Sequence, residues 1–439
     1  MFKSLIKKIL PKFLILGYHR FLAYLAMIIY QWPSRKMIVI GVTGTAGKST
    51  VVNLIGRILE EAGYKVGWTS TLNFKIDQRE WLNTTKMTML GRFALQKILR
   101  QMLEAGCQYA VIETSSEGIV QSRHLGIDYD LAIFTNLAPE HIESHGSFEK
   151  YRSSKGKLFA KLMKQKPKII NHQRIKRAII VNLDDNNADY FLQFPAEEYY
   201  GFTFSETDRQ MHLSGANKIN VIRARNIKLN QDGSGFMVQN SKFKVNLLGE
   251  FNVYNSLAAI TVALSQNVGL AVCQKALEKV KNIPGRLEIV INKPIKVIVD
   301  YAHTPDSLEK VYQLISKIKS STSKIIAVLG SAGGGRDKWK RPKMGEIASE
   351  YADEVIVTNE DPYDENPEEI IEQVASGVSD KNVYKILDRG QAIKKAISLA
   401  KPGDLVIITG KGCEQCIMGP GGKKIPWDDR RVVREILKE

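Results

Sequence analysis

Residues 38–50, IVIGVTGTAGKST, decide how this chain is read. An apolar, β-branched run ends in a Gly-rich turn, and Gly47, Lys48 and Ser49 then open a helical pattern. A strand that ends in such a turn aims backbone N–H groups and a helix N-terminus at a phosphate. The lysine adds a point charge and the serine a metal-binding hydroxyl. Gly44, Thr45, Gly47, Lys48, Ser49 and Thr50 are therefore the candidate cradle for a nucleoside triphosphate. The general phosphate-loop pattern has glycine where Val42 stands, with Gly41 and Gly44 on either side, so the loop is a variant, GTxGK[ST]. A coincidental strand–turn–helix is the alternative.

Outward from this loop, strand-like runs alternate with helical patterns, as in α/β units around a mainly parallel sheet. Val51, Val52, Leu54, Ile55, Ile58 and Leu59 recur at helical spacing, and Gly63 offers a stop. Further strands read at 109–113, 131–135 and 178–182. Between about 200 and 248, alternation with glycine turns (DGSGF) suggests a local antiparallel sheet, followed by a helix over 255–264. The pattern breaks at 283–286, IPGR, and a second α/β set runs through 295–300, 324–330, 354–358 and 404–409. The expected architecture is a phosphate-loop central domain over 37–282 and a C-terminal Rossmann-like α/β domain over 283–439. A basic, apolar segment, 1–36, precedes them.

With 439 residues, 44% hydrophobic and 25% charged, the chain is long enough and ordinary enough to fold around real cores, which excludes wholesale disorder. Four cysteines are too few for a disulfide scaffold and fit a reducing, cytoplasmic setting. Cys413 and Cys416 form a lone CxxC, read as packing or a strand-end turn rather than a zinc or redox site. The net charge of +17 draws on two acid-free clusters. One is Lys3, Lys7, Lys8, Lys12, Arg20, Arg35 and Lys36; the other is Lys161, Lys164, Lys166, Lys168, Arg174, Lys176 and Arg177. Such clusters suit anionic partners or a solvated basic surface, but no nucleic-acid-reading motif accompanies them. Residues 13–32 are apolar and aromatic, interrupted by His19 and Arg20, and the rest is too short to span a bilayer. Two readings follow: a helix packed on the domain, or a basic amphipathic element on the inner membrane face.

Polar residues gather where strands end, at 113–117, 135–141, 300–303, 331–338, 358–364 and 410–414. Ligands of open α/β sheets sit beyond the carboxyl ends of strands, so a cleft between the two domains is the expected active site. Glu113 is placed to hold Mg²⁺ opposite the phosphate loop, with capping or solvation as its bland alternative. His141 and His145 lie in the loop TNLAPEHIESHG, and His141 is read as a metal or phosphate group. Lys155, in YRSSKGKLF, reads equally as a surface lysine.

The ordered motifs GTAGKST, ETSSEGIVQSR, FTNLAPEHIESHG, YRSSK, GEFNVYN, PGRLE, DYAHTPDSL, GGRDKWKRP and GKGCE resemble those of the Mur ligases across residues 37–439. They are most similar to the UDP-N-acetylmuramoyl-tripeptide synthetases. The resemblance implies that ATP transfers its γ-phosphoryl group to a peptide carboxylate, that an amine attacks the acyl phosphate, and that ADP and phosphate leave. It implies metal-site roles for Ser49, Glu113 and His141, and a carbamylated Lys155 that binds a second Mg²⁺. Asn252 and Asn255 match nucleotide contacts, while Arg286, Asp300 and His303 match residues that close over ATP. Lys48, Lys155, His141, Asp300 and His303 are thus the implied catalytic set. Thr84, Thr85, Ser115, Gln121, Arg123, Asp361 and Glu414 match substrate-holding positions. The implied protein is a monomer with muramoyl-peptide and amino-acid substrates, no nucleic-acid partner and an optional peripheral membrane contact through 1–36.

Three departures bear on substrate. The family's own N-terminal, uridine-gripping domain is expected to be lacking, since only about 36 residues precede the first strand. Tyr363, in TNEDPYDEN, stands where diaminopimelate-adding enzymes usually carry arginine, and a tyrosine offers no bidentate charged fork. Cys413 stands where histidine is common. The expected activity is addition of the third stem-peptide residue to a muramoyl-L-Ala-D-Glu acceptor. The alternative is a membrane-associated relative that activates a lipid-linked precursor for amidation.

Overall fold

The computed structural model describes residues 12–140, 145–206, 218–379 and 382–438. Among them the strand runs build two large sheets. The first has eleven strands, in the order Ser241–Val245, Gly233–Val238, Ile219–Asn230, Glu198–Thr203, Ala178–Asn182, Leu131–Phe134, Ile38–Thr43, Tyr109–Glu113, Val66–Thr69, Asn73–Ile76 and Arg79–Leu82. Its middle is parallel.

The continuous apolar character of these strands follows from burial on both faces. Along Ile38–Thr43, Ile40 and Val42 face one core with Val111, Ile133 and Ile180. Val39 faces the other with Ala110, Ile112, Ala132, Phe134 and Val181. The first face is covered by helices Lys48–Glu61, Glu250–Ser265 and Leu270–Lys279, the second by Arg92–Glu104, Phe148–Leu162 and Ala188–Leu192.

The strands between 219 and 245 pair antiparallel, as alternation suggests, and they are joined to the main sheet rather than standing alone. Glu198–Thr203 pairs in parallel with the start of Ile219–Asn230, so the meander extends the main sheet. The hairpin strands Asn73–Ile76 and Arg79–Leu82 extend its other edge.

The second sheet runs Glu288–Ile291, Lys296–Val299, Leu405–Ile408, Ile325–Leu329, Glu354–Thr358 and Asn382–Ile386, parallel except for its first pair. It repeats the two-faced logic. Ile298, Ala327, Val355 and Ile407 face one core, and Val297, Val328, Ile356 and Val406 the other.

The N-terminal helix, Lys12–Ile29, packs on the helix Arg92–Glu104 and buries Ala23, Ala26 and Met27. Its opposite face leaves Leu14, Tyr18, Phe21, Tyr24 and Ile28 exposed, with Phe21 at 62% and Ile28 at 66%. Among the described residues no helix is long and apolar enough to cross a membrane.

Candidate active site

The phosphate loop stands at the carboxyl end of Ile38–Thr43, flanked by the ends of Tyr109–Glu113 and Leu131–Phe134, where the chain order turns back on itself. That turning point is where open α/β sheets leave a crevice. Gly44 and Gly47 sit at φ +152° and +79°. A Cβ at Gly44 would lie 2.0 Å from Thr135 Oγ1, and one at Gly47 would lie 2.3 Å from Asn255 Oδ1. The loop backbone is therefore pressed between the Thr135 segment and the helix Glu250–Ser265, and no side chain fits at either position.

Asn136 braces the loop, accepting from Thr45 N–H with its carbonyl and from Ala46 N–H with Oδ1, both at 2.9 Å. Thr135 Oγ1 donates to the Ala46 carbonyl at 2.8 Å, and Ala138 N–H donates to Thr45 Oγ1 at 3.1 Å. The amides of the first helical turn have no intrahelical carbonyl to serve, which makes them the donor set a triphosphate requires. Lys48 Nζ folds back on the Thr45 carbonyl at 2.7 Å, over the mouth of the loop.

Ser49 Oγ donates to Glu113 Oε2 at 2.7 Å. Glu113, 2% exposed, also accepts from Thr71 N–H at 2.7 Å and Thr71 Oγ1 at 2.9 Å. A hydroxyl and an oriented carboxylate beside a phosphate loop are hard oxygen donors, the sparse protein contribution that Mg²⁺ takes alongside phosphate oxygens and water. Among the described residues no three His, Cys, Asp or Glu side chains group to hold a metal. His141 lies outside the described residues; His145 Nε2 lies 3.2 Å from Ser116 Oγ.

Lys155 is not at the surface. It lies on the helix Phe148–Leu162, is 1% exposed, and its Nζ donates to the Gly44 carbonyl at 2.7 Å. The same Nζ sits 4.4 Å over the Tyr151 ring. Burial holds its pKa well below that of an ordinary lysine, and repulsion by Lys48 adds to this, against the attraction of Glu140 and Glu113.

From the second sheet, Asp300 accepts from Leu287 N–H and Ala302 N–H, each at 2.7 Å, and ties the segment after Arg286 to the end of Lys296–Val299. Burial raises its pKa, opposed by Arg286 and those two amides. Arg286 lies 4.3 Å over the Tyr301 ring. His303 Nε2 stands 3.8 Å from Glu140 Oε1, which brings it to the loop that braces Thr45. Burial and neighbouring Lys340 lower the His303 pKa to about 4, so its imidazole is neutral near pH 7.

Asn255 lies under Gly47, whereas Asn252 is one step removed, accepting from Asn255 Nδ2 at 3.0 Å and donating to the Leu248 carbonyl at 2.8 Å. Thr50 is buried in the first turn of Lys48–Glu61.

The substrate candidates fall into two places. Ser115 caps the short helix Ser116–Val120, and Gln121 Oε1 accepts from Arg123 Nη2 at 2.7 Å. Arg123 also bonds the Met89 carbonyl, and Arg92 bonds the Gln121 carbonyl, so two guanidinium groups meet at one wall. Thr85 Oγ1 donates to Asn83 Oδ1 at 2.7 Å, while Thr84 is exposed and its carbonyl accepts from Lys424 Nζ at 3.1 Å. Asp361 and Glu414 come together around two lysines. Lys411 Nζ reaches both carboxylates at 2.7 Å, and Lys86 Nζ lies 2.9 Å from Asp361 Oδ2 and also bonds Glu414. Tyr363 stands beside them at φ +53°, hydrogen-bonded to Arg336. Cys413 and Cys416 are both free and buried.

Sequence reasoning missed Thr71, Asn136, Arg92, Lys86 and Lys411. Thr71 and Asn136 follow strand ends, so the rule that located Glu113 also points to them. Lys86 carries no such signal, because its partners are 275 and 328 positions away.

A phosphate cradle, an adjacent oxygen-donor pair and a buried lysine of lowered pKa at one sheet edge define a nucleotide-dependent enzyme of two α/β units. The comparisons narrow the class. Residues 42–263 match the Mur ligase middle domain and 285–412 the Mur ligase glutamate ligase domain. A UDP-N-acetylmuramyl-tripeptide synthetase of Roseiflexus sp. (strain RS-1) is 38% identical over 431 residues, covering 95% of this chain and 82% of the relative. A UDP-N-acetylmuramoyl-L-alanyl-D-glutamate–2,6-diaminopimelate ligase of Geobacillus thermodenitrificans (strain NG80-2) is 36% identical, covering 96% and 83%. A solved ligase of that second kind superposes with a TM-score of 0.59 at 30% identity, over 92% of this chain and 78% of its own. The folylpolyglutamate synthase of Mycobacterium tuberculosis shares the fold at a TM-score of 0.67 and 15% identity, over 89% and 92%. The chain belongs to the Mur ligase family, and with it is an ATP- and Mg²⁺-dependent, ADP-forming amide ligase.

Proposed function

We propose that this chain adds an amino acid, the third stem-peptide residue, to the carboxylate of a muramoyl-L-Ala-D-Glu acceptor in peptidoglycan precursor synthesis. The observation that carries the reading is the Gly44–Ser49 loop with Glu113 and Lys155 packed against it. A carboxylate oxygen is a poor leaving group until phosphorylated. Transfer of the γ-phosphoryl group from ATP makes the acyl phosphate and releases ADP. The amine then adds to the acyl carbon, loses its proton, and expels phosphate. Each stage crowds anions, and the first-turn amides, Lys48 and the Arg92–Arg123 wall supply fixed positive ends for them. Mg²⁺ bound by Ser49 and Glu113 would neutralise charge on the phosphates. His303, neutral at working pH, contributes a hydrogen bond rather than a charge. Asp361 and Glu414 face the incoming amino acid.

Lys155 is proposed to be carbamylated. Carbamylation needs an uncharged amine: its nitrogen bonds the carbon of CO₂, a proton leaves the nitrogen, and a carboxylate-like group results. The lowered pKa favours that free base, and the new anion would offer an oxygen ligand to a second Mg²⁺.

The names of the relatives favour stem-peptide extension over amidation of a lipid-linked precursor. A peripheral contact with an anionic membrane surface is proposed separately. It is supported by the exposed apolar and aromatic side chains of the helix Lys12–Ile29, and by a sequence that holds Lys3, Lys7, Lys8, Lys12 and Arg20 with no acid before residue 37. Phe21→Glu with Ile28→Glu should abolish sedimentation with phosphatidylglycerol vesicles, and unchanged sedimentation, or none for the parent chain, rejects that contact.

The test of activity is phosphate release. It should require ATP, Mg²⁺, the muramoyl-L-Ala-D-Glu acceptor and an amino acid together. No release with any acceptor and any amino acid rejects the reading.

A further inference from the structure

The carboxylates of Asp361 and Glu414 are bridged twice. Lys411, whose side chain is 0% exposed, holds the inner side, with Nζ at 2.7 Å from each. Met418 N–H donates to Asp361 Oδ1 at 2.8 Å and fixes that carboxylate's orientation. The outer side is held by Lys86, which comes not from this sheet but from the loop after Arg79–Leu82. Two carboxylates and one buried lysine leave a single net negative charge and one ammonium-sized position. Lys86 Nζ occupies that position, only 12% exposed.

The Lys86 loop is built to deliver this charge. Asn83 Nδ2 donates to the Ser70 and Met87 carbonyls, each at 3.0 Å, and Asn83 Oδ1 accepts from Thr85 N–H at 2.9 Å. Lys86 itself sits at φ +60°, the left-handed region a lysine enters only at a cost in energy. Lys424 Nζ grips the Thr84 carbonyl beside it. A cation that merely decorated the surface would require neither the strained backbone nor the two carboxylates. Arg336, hydrogen-bonded to Tyr363, adds a further positive charge nearby.

We propose that Lys86 is a specificity-determining residue: its ammonium fills the cation slot between Asp361 and Glu414, so the enzyme selects an incoming amino acid without a second ammonium group. The inference rests on the ligase reading, in which these carboxylates face the amino acid. A diamino acid entering beside Lys86 meets two carboxylates already neutralised by two lysines. Its far ammonium loses hydration without gaining a partner, a repulsive device of the kind that sets specificity.

The test uses the full chain, Lys86→Met and Lys86→Arg. Equal L-alanine and L-lysine compete for one acceptor, and the two products are weighed by mass spectrometry. Lys86→Met should raise the lysine-to-alanine product ratio by about tenfold or more, and Lys86→Arg should keep the parent ratio. Calorimetric titration with L-lysine alone should show binding about tenfold tighter to Lys86→Met than to the parent. An unchanged ratio overturns the proposal, as does equal loss with both amino acids, which would make Lys86 a structural tie only. If no protein forms product with these or any other amino acid, the ligase reading fails. The titration still decides the slot: tighter binding by Lys86→Met supports it, and equal binding overturns it. Circular dichroism of both variants shows whether each is folded.

Discussion

The phosphate edge of the first sheet and the amine-facing corner around Asp361 are built by opposite means. At the phosphate edge, backbone amides, two glycines and short-range side chains do the recognising, and every partner of the loop comes from a neighbouring strand end or helix. At the other corner four charged side chains from three separate segments neutralise one another, and one of them crosses from the first sheet's loops. A cradle for a triphosphate tolerates little variation, because the ligand is the same whatever the acceptor or amine. A slot for an amino acid can be retuned by one lysine. The chemistry is thus fixed on one side and the choice of substrate adjustable on the other.

That contrast breaks most readily at the loop. Lys48→Ala should reduce kcat/KM on the order of 10³-fold with any amino acid, measured by phosphate release. Retention of turnover would mean the first-turn amides suffice. Lys155→Ala should cost about 10²-fold, with partial restoration by formate, acetate or chloride occupying the place of the carbamate. Burial holds the Lys155 amine well below the ordinary lysine range, which favours the free base. Bicarbonate should therefore activate CO₂-depleted protein at pH 7, where an ordinary lysine would stay protonated. Full activity of Lys155→Ala without added anions removes the carbamate.

A smaller effect is expected one residue further out. Thr71→Val deletes the hydroxyl bond that orients Glu113 while leaving the backbone amide in place. The Mg²⁺ concentration for half-activity should rise about tenfold, and no rise would detach Glu113 from metal binding. A clear effect on folding, beside any on chemistry, is expected of Asp300→Ala. It leaves the buried Leu287 and Ala302 amides without acceptors and should cost about 2–3 kcal/mol in chemical denaturation.

How much of this was legible in the sequence differs between the same two regions. Strands such as Tyr109–Glu113 and Ala178–Asn182 read directly, because burial on both faces demands an unbroken apolar run. The phosphate loop and Glu113 read by the same local logic, a strand followed by the group that faces the crevice. Lys155 did not: its helix carries lysines on several sides, and only the packing against Gly44 separates the buried one from the solvated ones. The meander over 219–245 was legible as antiparallel, but its parallel attachment to Glu198–Thr203 depends on a crossover that no periodicity records. Tyr363 and Cys413 marked the amine side as altered. Lys86, which makes the alteration intelligible, lies where chain distance hides it.

The central claim is that the loop transfers a phosphoryl group to a carboxylate, which an amine then displaces. Acceptor labelled with ¹⁸O in the reacting carboxylate tests it most directly, with the released phosphate read by its ³¹P isotope shift. One labelled oxygen should appear in each phosphate, carried over from the acyl phosphate. Unlabelled phosphate released alongside amide product would contradict the claim.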